Sequence, residues 1–335
     1  MSLRTVDSTL LASLPSELHL LILEHAACAS VPTALALSLV SRWVNTLTQP
    51  YLYHTVVLST SRALASFHTS LSSKPHHFAN THVKHLGIFA PGPVETVAKV
   101  LNLCQRIDSL ACGFSLPAYK ELQAPHPQPP VQPKPLTQLC PASTIKEQHL
   151  LSLSCRDGWD VSLVSPSVTH LRVHITSPQR PWFAMPGAGA NTTLEASNWD
   201  LSYLHHLTHL GIVWKPAKGQ KVEDVLVPLT RLLAVEEGAG VVVGADSGND
   251  KSTSKLQVIL IQILGTRVSQ ASAVKALNDA ALKRGGSALR IVAEAAPLSA
   301  VSQWEDGVRR GEGRGVWEGA EGVVCQRLVG EVSKS

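Results

Sequence analysis

The chain has 335 residues, 44% hydrophobic and 16% charged, which is enough to bury one large or two modest cores and too apolar for intrinsic disorder. The net charge of +4 is spread out, its densest cluster being Arg309, Arg310 and Arg314 interleaved with Glu312, so no nucleic-acid partner is expected. No apolar run reaches the roughly 18 residues of a membrane span, and the start lacks the sustained apolar core of a secretion signal, so a cytoplasmic or nuclear protein without membrane contact is expected.

Pro15 suits the first turn of a helix, where a missing N–H costs nothing, and Glu17 complements the positive end of the dipole. A helix is therefore predicted to begin near Pro15. Leu18, Leu21, Ile22 and His25 form one stripe at helical spacing, and Leu20, Leu23 and Ala27 form a second about a third of a turn away. Two apolar faces need two coverings. Thr33 is placed to cap a second helix whose Leu35, Leu39, Val40, Trp43, Val44 and Leu47 cover one face before Pro50 ends it. The other face is expected to stay open for a partner.

The pattern Leu14-Pro15-x-Glu17-Leu18-x-x-x-Ile22-Leu23, then Leu39-Val40-Ser41-Arg42-x-Val44, then Pro50-Tyr51-Leu52-Tyr53 and the apolar Thr55-Val56-Val57-Leu58, resembles an F-box of the divergent sort found in fungal F-box proteins. The resemblance covers about 14–59 and implies a helical unit, taken as 10–59, that docks on the Skp adaptor of a cullin-RING ubiquitin ligase. Carried over position by position, it implies adaptor binding through Leu14, Pro15, Leu18 and Ile22. The remaining body, taken as 60–330, would then hold a protein substrate. The alternative is a non-catalytic leucine-rich-repeat-like scaffold, with the helices serving only as a cap.

Past residue 54, strand-like and helix-like segments alternate. His54 to Ser59 is predicted as a strand, Arg62 to Leu71 as a helix, Val83 to Phe89 as a strand, Val94 to Leu103 as a helix and Ile107 to Cys112 as a strand. The spacing from Val83 to Ile107 falls within the roughly 20–29 residues of a leucine-rich repeat. An internal repeat of the form Φ-x-His-Leu-x-Φ occurs at Val83–Ile88, Val168–Val173 and Leu207–Ile212. Its first, fourth and sixth positions are apolar, which resembles the strand of that repeat family, although the family's ladder asparagine is missing and the later spacings are too long for a regular array. The expected fold class is α/β, with an F-box-like helical unit followed by an irregular leucine-rich-repeat-like solenoid and a mostly parallel sheet.

Three stretches are predicted as inserted loops: the proline-rich 115–141, then 176–199, then 238–254. Between and after them, Val222 to Ala234 reads as a helix and Lys255 to Leu264 as a buried strand. Ala271 to Arg284 reads as a helix stopped by Gly285-Gly286, and Ala288 to Ala293 as the last strand. The tail, with Trp304, Val308, Val316, Trp317, Ala320, Val323 and Val324, reads as amphipathic helix capping the open end of the sheet.

Residues able to carry chemistry are sparse. Six cysteines without a C-x-x-C spacing are expected to be reduced and buried. Fifteen histidines include His205, His206 and His209 and the pair His82 and His85, but no cysteine or carboxylate lies at helpful spacing, so no metal is expected. His170 and His174 lie on one side of a strand and hint at a polar recognition face. The Gly238-x-Gly240-x-x-x-Gly244 and Gly311-x-Gly313-x-Gly315 runs lack the strand and helix that a dinucleotide turn needs. Ser252-x-x-Lys255 falls in a polar loop. Pro127-x-x-Pro130 is more readily chance than an SH3 ligand, and Trp182, Trp199 and Trp214 are read as packing residues. No cofactor and no catalysis are expected.

Overall fold

The computed structural model describes residues 14–123, 139, 145–151, 154, 163–175, 201, 204–216, 225–234, 256–310 and 315–332. Three helices come first. Helix α1 (Ser16–Ala29) starts where Pro15 predicts, with Glu17 in its first turn. Helix α2 (Val31–Ser38) is capped by Ser30, whose Oγ accepts from the Thr33 N–H at 3.2 Å. Helix α3 (Arg42–His54) is capped in the same way by Ser41, from the Val44 N–H at 3.2 Å.

The single helix expected from Thr33 to Pro50 is thus two, because each serine oxygen satisfies a backbone donor that a continuous helix would have used itself. Pro50 does not end α3 but lies inside it. The lost hydrogen bond is offset by packing beyond it: the Tyr53 ring meets Phe78 edge-on at 5.0 Å, and its hydroxyl reaches Ser70 Oγ at 2.9 Å.

Eight strands follow in one open sheet among the described residues: β1 (Thr55–Leu58), β2 (His85–Ile88), β3 (Ser109–Cys112), β4 (Glu147–Leu150), β5 (His170–Ile175), β6 (His209–Trp214), β7 (Val258–Ile263) and β8 (Ile291–Ala295). Each lies parallel to and beside its neighbour in sequence. The intervening helices are α4 (Ser61–Ser72), α5 (His77–His82), α6 (Val94–Leu103), α7 (Leu116–Gln123), α8 (Leu226–Ala234) and α9 (Arg267–Arg284), and a 3-10 turn (Gly286–Arg290) leads into β8. Gly285 and Gly286, at φ 65° and 54°, end α9 as predicted.

One face of the sheet and the inner faces of these helices form the main core. The apolar positions of the hexamer repeat, Val83, Leu86 and Ile88, Val168, Leu171 and Val173, and Leu207, Leu210 and Ile212, are all fully buried there. Gln148 interrupts the same layer but is satisfied: its amide donates to Leu163 O at 3.2 Å, and its oxygen accepts from the Ser165 N–H at 3.2 Å. Trp214 is also core.

The proline-bearing stretch 115–141 is not loop throughout, since it opens with α7, where Pro117 occupies the first turn that tolerates it. Strand β4 was not expected, because Glu147, Gln148 and His149 hide its strand character. Residues 124–138, 140–141, 176–199 and 238–254 lie outside the described residues, as do Cys140, Cys155, Trp182 and Trp199.

The tail forms α10 (Ala300–Arg310) and α11 (Glu318–Val332). It does not cap an end of the sheet. Helix α10 reaches β1 and β3, and α11 reaches β7 and β8, so the tail lies across the face opposite the main core. Two tryptophans anchor it. The Trp304 indole N–H donates to Ser109 Oγ at 2.9 Å, and the Trp317 indole N–H to Glu147 Oε1 at 3.0 Å. A small second core joins Val258, Leu260 and Val292 of the sheet to Val316, Trp317, Ala320 and Val324.

The glycines of two repeat copies explain the docking. A Cβ on Gly87 would stand 2.6 Å from the Trp304 ring, and one on Gly211 2.8 Å from the Trp317 ring. Each ring thus rests on bare backbone. Gly211→Ala is expected to lower stability by about 1–3 kcal/mol in urea unfolding, and by markedly less in a Trp317→Leu background; equal losses in both backgrounds would mean that the ring is not the obstacle.

Candidate functional site

Two regions bear on function: the outer face of α1, and the row of polar side chains between the sheet and the tail. On α1 the two predicted stripes separate cleanly. Ala27 is buried against α2 and α3 with Leu20 and Leu23 half-buried, whereas Leu18 is 43% exposed and Ile22 50% exposed, alongside exposed Leu21 and His25. Leu21, Ile22, His25 and Ala26 line one shallow apolar depression. Of the residues implied by the resemblance, Leu14 is half-buried and Pro15 exposed at the helix start, while Leu18 and Ile22 share the open stripe. Leu35, Leu39, Val40 and Trp43, expected to cover α1, are themselves exposed. The break after Ser38 turns them outward, so the helical unit presents more apolar surface than the sequence reading anticipates.

In the sheet, the register places Thr55, His85, Ser109, Glu147, His170, His209 and Val258 in one row. The repeat histidines therefore do occupy equivalent positions, but the tail covers them. Each of the last two is held by its preceding threonine: His170 Nδ1 lies 2.9 Å from Thr169 Oγ1, and His209 Nδ1 lies 2.8 Å from Thr208 Oγ1. The imidazoles stack in parallel, with centroids 4.2 Å apart. Glu321 of α11 brings Oε1 to 2.9 Å from His209 Nε2.

Sequence spacing could not reveal this carboxylate, because tail docking supplies it. The neighbouring His205 and His206 are exposed, and neither joins the group. His174 lies beyond this row on the same side of β5.

Burial governs the electrostatics of the row. It lowers His85 to about 4, with His54 adding to the effect, and it lowers His170 to about 4, helped by His209. His209 is also lowered by burial. Burial alone would raise Glu147, but the charge and hydrogen bond of His149, at 2.7 Å, and the Trp317 N–H hold it down at about 2. A carboxylate thus stays ionised beneath neutral imidazoles.

Two residues along from His170, Arg172 is fully buried with a pKa lowered by burial to about 10, which still leaves it charged at neutral pH. It donates to Gln262, whose amide in turn reaches Glu294 at 2.6 Å and Gln303 at 3.3 Å. Between α10, α11 and the row lies a cavity of about 380 Å³, bordered by His85, Glu147, His149, Trp304, Trp317 and Glu321.

Among the described residues no cysteine borders this site. Cys104 and Cys112 are buried, and burial pushes the Cys104 thiol up to about 12. Cys28 and Cys325 are exposed rather than buried as expected.

A histidine kept neutral in the fold but free to protonate when unfolded makes the unfolded chain bind more protons between about pH 6.5 and 4. Stability should therefore be full above about pH 6.5 and fall as pH drops toward 4. His85→Gln is expected to remove about 1–3 kcal/mol of that acid loss, read from urea unfolding at pH 7.5 and 4.5. An unchanged pH dependence would show that His85 is not among the groups responsible.

Comparison with known proteins finds no family model that matches the chain and no curated protein that matches it.

Proposed function

We propose that this chain is a substrate-recruiting adaptor of a Skp-cullin-F-box ubiquitin ligase, with α1–α3 as an F-box-like unit and the sheet with its helices as an irregular leucine-rich-repeat-like solenoid. The observation that carries this reading is the open stripe of Leu18, Leu21, Ile22 and His25 on α1, at positions where the sequence resembles the adaptor-binding face of an F-box. Apolar side chains exposed side by side on a helix, in a unit that already buries its other face, mark a surface made for a partner.

The solenoid part of the reading is supported by a strand order that advances one place at each step and by the hexamer repeat on β2, β5 and β6. Function then needs no chemistry from this chain. Holding a protein substrate beside the ligase raises its effective concentration for ubiquitin transfer carried out elsewhere. Because α10 and α11 lie across the polar face of the sheet, the substrate meets the surfaces that those helices leave open.

Full-length protein is expected to co-purify with a Skp adaptor and, through it, a cullin. Leu18→Asp with Ile22→Asp should weaken adaptor binding at least about 100-fold, as expected for two central apolar anchors, without loss of helical circular dichroism, since both side chains are already exposed. A wild-type chain that forms no complex, or a double variant that binds equally well, would overturn the adaptor reading and leave the helices as a cap on a scaffold.

A further inference from the structure

We propose that His170, His209 and Glu321 form a binding site for a divalent transition-metal ion of the zinc class, which clamps α11 onto strands β5 and β6. The argument begins with where the imidazole protons must be. The Thr169 hydroxyl donates its one hydrogen to Lys146 O at 3.0 Å, and the Thr208 hydroxyl donates its own to Thr169 O at 3.1 Å. Each hydroxyl can then only accept from the following histidine, so both rings carry their proton on Nδ1 and present Nε2 as a bare lone pair. An oxygen acceptor on Nδ1 is the kind of outer support that metal-binding histidines use, here supplied by a hydroxyl.

His209 Nε2 supplies the second observation. Its side chain is only 7% exposed, and this nitrogen makes no hydrogen bond, yet it stands 2.9 Å from Glu321 Oε1. Two lone-pair-bearing atoms held this close repel unless a proton or a metal ion lies between them.

One ligand atom from each of His170, His209 and Glu321 falls within 4.8 Å of the other two. Ligands about 2.0–2.1 Å from a tetrahedral ion lie about 3.3 Å apart, so closing the set takes a tilt of the two imidazoles, which stack 10° from parallel, together with a shift of the carboxylate. The 49% exposed Glu321 side chain is free to make it. Two imidazoles with one carboxylate suit zinc and its neighbours rather than calcium or magnesium, which prefer all-oxygen sites. The Trp317 ring, 5.4 Å from His170 and 5.7 Å from His209, shields one side. Glu321 also borders the cavity, which leaves a fourth position for water.

The test uses full-length protein stripped with a chelator and titrated with zinc ions by calorimetry, alongside thermal unfolding. One equivalent should bind and raise the unfolding midpoint. Glu321→Gln, at an accessible position, should weaken binding at least about tenfold, and Thr208→Val, which frees the His209 proton to move, should do so by about 10–100-fold. A His205→Ala, His206→Ala control should bind as the wild type does. Failure to bind one equivalent, or binding that Glu321→Gln and His209→Asn both leave unchanged, would overturn the site and assign any zinc uptake to exposed histidines elsewhere.

Discussion

A strand order that advances one place at every step, with crossovers of one hand, sends every connecting helix to the same face of the sheet. The opposite face is then bare, and a parallel sheet seldom leaves one face in water. Residues 300–332 resolve this conflict by folding back across that face. The two tryptophans anchor it: each buries a large ring on the bare backbone of a glycine, and their indole N–H groups reach Ser109 one strand away and Glu147 two strands away.

The covered face is unlike an ordinary core because its strands carry polar side chains at the inward positions. Desolvation would make these costly if they stood alone. Instead, charge is confined to a few places with partners in reach. Glu147 is held ionised by His149 and the Trp317 N–H, and Arg172 is linked through Gln262 to Glu294. The histidines of the row respond by favouring the neutral form, while His170 and His209 each keep a threonine partner at Nδ1. Arg172 also occupies the place in β5 where β2 and β6 have Gly87 and Gly211.

Much of this architecture is written locally in the sequence. Val94–Leu103, Val258–Ile263 and the glycine stop after Arg284 follow from periodicity and backbone chemistry that act within a few residues, and α1 begins where Pro15 and Glu17 place it. The hexamer repeat marks three strands and their buried positions correctly, because alternation on a strand is a local rule. What local rules miss is imposed from a distance. Strand β4 has Glu147 and His149 facing Trp317 and the tail, a context that its own residues do not announce. The docking of α10 and α11, and with it the meeting of Glu321 and His209, depends on side chains far apart in the chain. The division of α2 from α3 was legible in principle, since Ser30 and Ser41 are both good caps, but a continuous apolar pattern masked it.

The indole of Trp304 finds Ser109 across 195 residues, and that of Trp317 finds Glu147 across 170. During synthesis, the strands emerge in the order in which they pair, so the sheet can grow as it leaves the ribosome. Its covering segment emerges only afterwards. For that interval the nascent protein displays an unfinished flank, which makes it a client for chaperones. Premature termination shortly before residue 300 would leave every strand made and the whole molecule exposed to quality control.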